Sequence, residues 1–355
     1  MGPCLTDPLF VFDDQCHYFN FALGDRTPQG KNFVRFIEQF RASISGSYFK
    51  LGRQTGEEFM RECFTKSCTT IAGLNAIGLV DLFGGSMIGD VEDYAKLMKK
   101  HPDRIVLYGY VNPLDGEKAL KELEHQVLDL GVKAFKFYPI DPRGSSNGWL
   151  CNDSKVAYPV FEKASELGIK VISVHKGIAA TVGPHKGVLK YLDPDDMEDP
   201  ALNFPEINFF CYHMAYPEVE KIAGLCNIYS NLWVDMGNPI SIACALKPLW
   251  FNDMMKKFLT LAPATKMTWG TDQIISPLAQ KGIEAFWKWQ VPREWEQGYG
   301  IPPLTEGVKR KILGKTMAEI LKIDVRKAVE KIKDDEFSNR RTPEVRRFLS
   351  QFSEN

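Results

Sequence analysis

Short apolar runs alternate with longer amphipathic segments along most of this 355-residue chain. The runs are rich in valine, isoleucine and aromatic residues and contain few polar positions, which is typical of parallel strands buried on both faces. There are eight of them, at Leu9–Phe12, Ile77–Phe83, Ile105–Val111, Val132–Tyr138, Ile169–His175, Ile207–His213, Ile228–Met236 and Met267–Thr271. The pattern therefore predicts eight β-strands that alternate with helices.

The segments between the runs have the spacing of helices with one apolar face. Glu117–Leu130 places its apolar residues on one stripe and is followed by Gly131, a residue type that commonly ends helices. Residues 20–75 form a longer gap that predicts two helices, the second of which begins with the capping-box sequence Thr55-Gly-Glu-Glu58. Helices are also predicted at Val91–Lys100, Pro159–Leu167, Pro217–Leu225, Leu304–Ile323, Arg326–Lys333 and Pro343–Phe352.

Eight strands that alternate with helices and lead into a helical tail predict an α/β fold of the (β/α)8 barrel type. An open, doubly wound sheet is the alternative architecture. The predicted barrel occupies residues 1–323, with residues 20–75 as a helical insertion after strand one and residues 324–355 as a helical C-terminal extension. The insertion is rich in phenylalanine, so it forms either the wall or lid of a pocket or additional core.

The composition narrows the class of protein. Apolar residues make up 44% of the chain and aromatic residues 12%, which indicates a packed core. Lysine and arginine number 44 against 45 acidic residues, so no basic excess favours nucleic acid or an anionic membrane as a partner. No apolar run is long enough to predict a membrane span, and the first residues lack a secretory signal pattern. The eight cysteines are scattered without a Cys-x-x-Cys pair, which predicts reduced residues in a cytoplasmic protein.

Polar residues with useful chemistry lie at the ends of the predicted strands, where (β/α)8 barrels carry their reactive sites. Three of the six histidines are found there: His17 follows the first run, His175 ends the fifth and His213 ends the sixth. Asp272 follows the eighth run in the sequence Trp-Gly-Thr-Asp. Lys136 lies inside the fourth run, where a charge is costly without a partner.

Imidazole nitrogens and a carboxylate that meet at one barrel mouth are typical ligands of a divalent metal ion such as Zn, Fe or Mn. An ion of this kind lowers the pKa of water or polarises a substrate oxygen. The strand-end residues therefore predict a metal site. His185, on a loop after the fifth run, is either part of the pocket wall or plain surface.

Several phrases of the sequence follow the order found in a known family. They are His101-Pro-Asp-Arg-Ile with Val111-Asn-Pro113, Glu122 with Leu130–Lys136, Val174-His175, Asn203-Phe-Pro-Glu-Ile with Tyr212-His213, Trp269–Asp272 and Lys311-Ile-Leu-Gly-Lys315. On these phrases the chain resembles the amidohydrolase superfamily. It looks closest to the branch of aminocarboxymuconate-semialdehyde decarboxylase, resorcylate decarboxylases and related lactone and C–C hydrolases. The resemblance covers residues 76–323 and the first strand.

The resemblance implies that His175 and Asp272 are metal ligands and that His213 binds a second metal or polarises the substrate. The family usually has His-x-His in strand one, whereas this chain has Gln15-Cys16-His17. His17 thus keeps the second position and Gln15 replaces the first. Some decarboxylases of the branch have glutamate there, so an oxygen ligand has precedent.

Two further ligand assignments stay open. A small shift of register would recruit Asp13 or Asp14 in place of Gln15. Lys136 matches the strand-four lysine that is carboxylated and bridges two metals in binuclear members, although mononuclear members often have a lysine nearby. We expect one divalent ion, Zn, Fe or Mn, with two ions as the alternative.

The predicted function is that of a metal-dependent hydrolase acting on a small carbonyl compound such as a lactone, ester, thioester, amide or C–C bond substrate. Asp272 is expected to take the proton of water, and His213 to polarise the carbonyl or protonate the leaving group. Lys176 and His185 are candidate substrate-binding residues.

One alternative function is that of a metal-dependent, non-oxidative decarboxylase of an aromatic or dienoic acid. A second is a metal-free pseudoenzyme or binding protein. The expected partners are a small-molecule substrate and a second copy of the chain in a homodimer.

Overall fold

Eight parallel strands form one sheet in the sequential order β1 to β8 in a computed structural model, which describes residues 8–45, 52–141, 148–177, 188–272 and 278–352. The strands are Phe12–Cys16 (β1), Ile71–Asn75 (β2), Ile105–Gly109 (β3), Ala134–Phe137 (β4), Val171–His175 (β5), Asn208–Tyr212 (β6), Leu232–Asp235 (β7) and Met267–Thr268 (β8). Hydrogen bonds from Asp14 N to Trp269 O (2.9 Å) and from Asp272 N to Gln15 O (2.8 Å) join the last strand region to β1. The predicted (β/α)8 barrel is confirmed.

Helices connect the strands and cover the barrel. They are Pro28–Ser45 (α1), Gly56–Thr65 (α2), Val80–Phe83 (α3), Val91–Lys100 (α4), Glu117–His125 (α5), Tyr158–Glu166 (α6), Leu189–Leu192 (α7), Glu198–Asn203 (α8), Val219–Ile228 (α9), Gly237–Leu246 (α10), Pro248–Leu261 (α11), Ala279–Lys288 (α12), Arg293–Tyr299 (α13), Glu306–Arg310 (α14), Thr316–Ile320 (α15), Val325–Ile332 (α16), Glu336–Asn339 (α17) and Pro343–Leu349 (α18). The predicted capping box is confirmed: Thr55 accepts from the Glu58 amide, and the Glu58 carboxylate accepts from the Thr55 amide. No helix within the described ranges is long and apolar enough to span a membrane.

The prediction for the second strand is wrong. The apolar run Ile77–Phe83 contains α3, and β2 lies earlier, at Ile71–Asn75. This strand includes Gly73, where a Cβ would lie 2.9 Å from the Asp14 carbonyl oxygen, so the packing of β1 excludes an apolar side chain there. Residues 20–75, assigned to an insertion, thus include a barrel strand.

The first strand is shifted from its predicted position at Leu9–Phe12 to Phe12–Cys16. Its sequence, FDDQC, is mostly polar but fully buried, because these side chains contact other strands and their connections. The pairing of β1 with β2 is irregular between Asp13 and Cys16, as in a β-bulge. Gln15 lies within this irregular stretch, and His17 directly follows it.

A separate apolar cluster covers the C-terminal ends of β1, β2, β4 and β5, and we call it the mouth cluster. Its buried members come from the segments that follow those strands: Phe19, Phe21, Phe33, Ile37, Leu79, Leu82, Phe83, Met87, Ile88, Tyr138, Ile140, Val188 and Leu192. The phenylalanine-rich segment after strand one therefore packs above the barrel mouth. Phe19 of this segment lies beside His17, with ring centroids 6.4 Å apart.

The C-terminal extension packs back onto the barrel through Arg104, which is 2% exposed. Its guanidinium donates to both carboxylate oxygens of Asp335, at 2.7 and 2.9 Å, and to the carbonyl oxygens of Thr69 and Thr70. Phe337 of α17 packs against Phe64 of α2, with ring centroids 6.0 Å apart. The extension is thus part of the same folded unit.

Replacing Arg104 by methionine is expected to lower the free energy of unfolding by about 3 kcal/mol, because Asp335 and two backbone carbonyls lose a charged donor. Lys331→Met is the matched control, since the ion pair of Lys331 with Asp103 is largely exposed and contributes at most about 1 kcal/mol. Urea unfolding followed by circular dichroism measures both. Equal losses in the two variants would contradict the assignment.

Candidate active site

His17 and Asp272 form the first pair at the barrel mouth. Nδ1 of His17 lies 2.6 Å from the carbonyl oxygen of Asn75, and because a carbonyl only accepts, Nδ1 carries the proton. Nε2 lies 3.1 Å from Oδ1 of Asp272. In the neutral ring, Nε2 and this carboxylate oxygen are both acceptors, so their approach requires a proton or a cation between them.

Backbone geometry holds Asp272 at this position. Its φ angle is +54°, in the left-handed region that residues with side chains adopt rarely. Its amide donates to the carbonyl oxygen of Gln15 at 2.8 Å. The carboxylate is 5% exposed, so it is nearly shielded from water.

His213 and Gln15 form the second pair. Nδ1 of His213 donates to the carbonyl oxygen of Asn238 at 2.8 Å, which leaves Nε2 as an acceptor. The amide nitrogen of Gln15 lies 3.4 Å from that Nε2. This contact turns Oε1 of Gln15 away from the ring, and Oε1 has no hydrogen-bond partner among the described residues.

Burial, reinforced by the charge of Lys136, lowers the pKa of His213 to about 4. The ring is therefore neutral near pH 7. Gly237, with a φ of +53°, leaves the space that both side chains need: a Cβ there would lie 2.6 Å from Nδ1 of His213 and 2.8 Å from Oε1 of Gln15.

His175 ends β5 as predicted and is buried next to His213, with ring centroids 4.6 Å apart in an edge-to-face arrangement. Its other face stacks on Tyr138 at 4.2 Å. Tyr138 belongs to the mouth cluster, so this cluster fixes the orientation of the imidazole.

Lys136 lies on β4 and is 1% exposed. Its Nζ sits 3.4 Å from the centroid of the Tyr212 ring and has no hydrogen-bond partner among the described residues. Burial lowers the pKa of Lys136 to about 7, against the opposing effect of Asp235, Asp272 and Asp14. Lys136 thus lies among acids beneath the histidines.

Asp14, Lys136 and Asp235, on β1, β4 and β7, together form a buried group that we call the charged layer. Burial raises the pKa of Asp14 to about 7 and that of Asp235 well above its usual range. The hydroxyl of Tyr108 donates to Oδ1 of Asp14. Asp235 was not among the predicted site residues, although an acid inside an apolar run is the same kind of signal as the charge of Lys136 inside its run.

A shift of register would make Asp13 a metal ligand, but its carboxylate contacts Thr271 in the structure. Its carboxylate accepts from the Thr271 amide at 2.9 Å and from the Thr271 hydroxyl at 2.5 Å. Both of its oxygens are therefore engaged with the residue before Asp272. Gln15 remains the strand-one residue beside His213.

Of the two predicted substrate-binding residues, Lys176 has internal partners in the structure. Lys176 is fully buried and donates to the Asp196 carboxylate at 2.5 Å and to the Tyr191 carbonyl at 2.9 Å. Because both contacts are internal, we do not retain Lys176 as a group for a substrate anion. His185 lies outside the described residues.

The donor chemistry of the mouth fits a divalent cation. Oε1 of Gln15 is an unpartnered buried oxygen, and His17 and His213 each have Nδ1 fixed by a backbone carbonyl, as is usual for metal-ligating histidines. Three buried aspartates, Asp14, Asp235 and Asp272, lie near Lys136, and a bound cation would favour their ionised forms. Within the described residues, no three His, Cys, Asp or Glu side chains are already arranged around a common metal position.

The family model described as "Amidohydrolase" matches residues 74–323, which is more than two thirds of the chain. Among curated proteins, the chain is 23% identical over 118 residues to protein fluG of Emericella nidulans. That match spans 33% of this chain but only 12% of fluG.

Two solved structures share the fold. The 5-carboxyvanillate decarboxylase of Sphingomonas paucimobilis superposes with a TM-score of 0.54 at 14% identity, covering 89% of this chain and all of the other. A dihydroxybenzoic acid decarboxylase of Polaromonas sp. JS666, solved with bound manganese and the inhibitor 2-nitroresorcinol, gives a TM-score of 0.51 at 13% identity, covering 88% and 97%.

Proposed function

This chain belongs to the amidohydrolase family, and from that premise we propose that it is a metal-dependent hydrolase of a small carbonyl compound. The observation that carries the proposal is the contact of His17 with Asp272: Nδ1 of His17 is held by a backbone carbonyl, and Nε2, an acceptor in that tautomer, lies 3.1 Å from a carboxylate oxygen, an approach that a proton or a cation would stabilise. His17, His175 and Asp272 would hold the metal, with the oxygen of Gln15 as a neutral fourth ligand. A divalent ion of the Zn, Mn or Fe class, when bound there, supplies Lewis acidity.

Asp272 is the proton acceptor in this proposal. Water adds to the substrate carbonyl carbon, and the carboxylate of Asp272 accepts the proton that the water loses. The 3.1 Å contact with His17 and the left-handed backbone fix the position of this carboxylate. Because the site is nearly dry, these charges act with little screening.

His213 takes a different role from the one expected from the sequence. With its pKa lowered to about 4, the ring is neutral and has no proton on Nε2 to give to a leaving group. It instead accepts from Gln15 and so orients the Gln15 oxygen. We therefore assign His213 as a positioning residue for Gln15.

Decarboxylation is the second candidate, and the enclosure of the site favours it. The three mouth histidines and Asp272 are at most 8% exposed, and the mouth cluster covers the strand ends. Loss of carbon dioxide replaces a carboxylate by a proton on carbon and consumes no water. The manganese-bound neighbour of similar fold is itself a decarboxylase.

Elemental analysis of protein purified without added metal tests the metal site. We expect about one equivalent of Zn, Mn or Fe per chain, lost in His175→Ala and retained in His125→Ala, whose histidine is exposed and pairs with Asp129 and Glu92. No metal in the native protein, even after supplementation, would overturn the proposal and leave metal-free catalysis or a binding role.

A substrate panel then separates the two reactions. Lactones, esters and thioesters are assayed for acid release, and aromatic and dienoic acids are assayed for carbon dioxide release. Turnover of the first group alone supports hydrolysis. Carbon dioxide release alone replaces it with the decarboxylase reaction.

A further inference from the structure

We propose that Asp13 and Thr271 form a latch that positions Asp272 for metal binding, so that the latch sets the metal affinity of the site without contacting the metal. This inference rests on the proposed function, in which Asp272 is a ligand. Asp13 is then a positioning residue on β1 that acts through Thr271.

The latch is a two-point contact between the first and last strand regions. Oδ1 of Asp13 accepts from the Thr271 amide at 2.9 Å, and Oδ2 accepts from the Thr271 hydroxyl at 2.5 Å. Asp13 and Thr271 are both fully buried. One carboxylate thus fixes both the backbone and the side chain of the residue that precedes Asp272.

Asp272 needs such a restraint because of its backbone conformation. A φ of +54° is uncommon for a residue with a side chain, although aspartate tolerates it better than most. The surrounding contacts must hold the conformation. Asp13 holds Thr271 from one side, and the carbonyl oxygen of Gln15 holds the Asp272 amide from the other, at 2.8 Å. The backbone at Thr271 and Asp272 therefore has little freedom.

The latch also fixes the ligands relative to one another. Asp13 lies at the start of the irregular pairing in β1, only two and four residues before Gln15 and His17. Anchoring Asp13 to Thr271 therefore sets the distance between the β1 ligands and Asp272. The 3.1 Å separation of His17 Nε2 and Asp272 Oδ1 is the expected consequence.

The test compares three threonine variants of the full chain by calorimetric titration of the metal-free protein with Mn²⁺. Thr271→Val keeps the shape and the amide but removes the hydroxyl, Thr271→Ser keeps the hydroxyl, and Thr268→Val removes a buried hydroxyl from β8 itself. We expect Thr271→Val to weaken Mn²⁺ binding by about tenfold or more, a typical effect of outer-shell changes. The other two variants should stay within about twofold of the native protein.

Thermal unfolding of the same variants separates positioning from general stability. The two valine variants should lose similar stability, since each loses one buried hydroxyl, while only Thr271→Val loses metal affinity. Native affinity in Thr271→Val would overturn the latch, and so would equal weakening in Thr268→Val.

A crystal structure of metal-free Thr271→Val judges the latch independently of the proposed function. If the native protein binds no Mn²⁺, the proposed function fails, but the latch still predicts that Asp272 leaves the left-handed conformation or moves away from His17 in this variant. An unchanged φ and an unchanged 3.1 Å contact would overturn the latch whatever the metal result.

Discussion

Replacing Asp272 by asparagine is expected to lower turnover by about 10³-fold, because the amide keeps the shape of the side chain but cannot accept the proton of water. Asparagine also removes the negative charge beside His17, so the affinity for Mn²⁺ should fall by more than the roughly 10–100-fold that is typical of outer-shell changes. The readouts are Mn²⁺ titration of the metal-free variant and its rate on whichever substrate the native protein turns over.

The control for this variant is Asp90→Asn. Asp90 caps the N-terminus of α4 through the Asp93 amide, a role that asparagine fills equally well. The control should match the native protein in rate and affinity. If Asp272→Asn retained more than about a tenth of the native rate, Asp272 would not be the proton acceptor.

The stability of the metal-free protein is expected to fall as the pH rises from 5 to 7. Burial raises the pKa of Asp13 to about 6 and that of Asp14 to about 7, from the ordinary value of 3.8. The folded chain therefore holds protons that the unfolded chain releases between about pH 4 and 7. Stability contributed by these acids is present below the ordinary pKa and is lost as the pH rises through the folded one.

Three other buried groups also change the dependence of stability on pH. Lys136, whose pKa is lowered from 10.5 to about 7, contributes stability that is present above its ordinary pKa and is lost as the pH falls toward 7. His213, lowered to about 4, opposes the acids between pH 4 and 6.5. Asp235, whose pKa is raised well above 3.8, acts in the same sense as Asp13 and Asp14, so the acids outnumber the histidine.

Thermal unfolding of chelator-treated protein across pH 5–8 measures this fall, which we expect to be on the order of a few kcal/mol in the free energy of unfolding. Asp14→Asn should make the fall between pH 5 and 7 shallower, because one titrating group is removed. Stabilisation by Mn²⁺ should be larger at pH 7 than at pH 5, since a cation favours the ionised acids. A stability that rises steadily from pH 5 to 7 in the metal-free protein would contradict the protonation states of the charged layer.

Much of the fold could be predicted from the periodicity of apolar and polar positions along the chain. The predicted helix Val91–Lys100 has the same bounds in the structure. Gly131, with a φ of +81°, ends the helical turn Gln126–Leu130 that continues α5, in agreement with the predicted end of this helix. The second strand could not be placed, because Ala72 and Gly73 give it little apolar contrast. The neighbouring run, Ile77–Phe83, is apolar because it supplies residues to the mouth cluster.

Some residues of the candidate site could also be predicted, because their signal is local in the sequence. A histidine or aspartate after an apolar run is visible in any sequence, and His17, His175, His213 and Asp272 were all identified this way. The contacts of Asp13 and Lys176 could not be predicted, because their partners are distant in sequence: Thr271 is 258 residues from Asp13, and Asp196 is 20 residues from Lys176. The sequence offered both as possible ligands or anion sites, and the structure gives each an internal partner.

The sequence by itself determined the alternation of strands and helices, the family and the residue types at the strand ends, because hydrophobic period and strand-end position are local properties of the chain. Only the tertiary structure decided which atoms of those residues are available. The carbonyls of Asn75 and Asn238 fix the tautomers of His17 and His213, and His213 in turn fixes the amide of Gln15. Burial then sets the protonation of the charged layer, since desolvation depends on neighbours from every strand of the barrel and not on the neighbours in sequence.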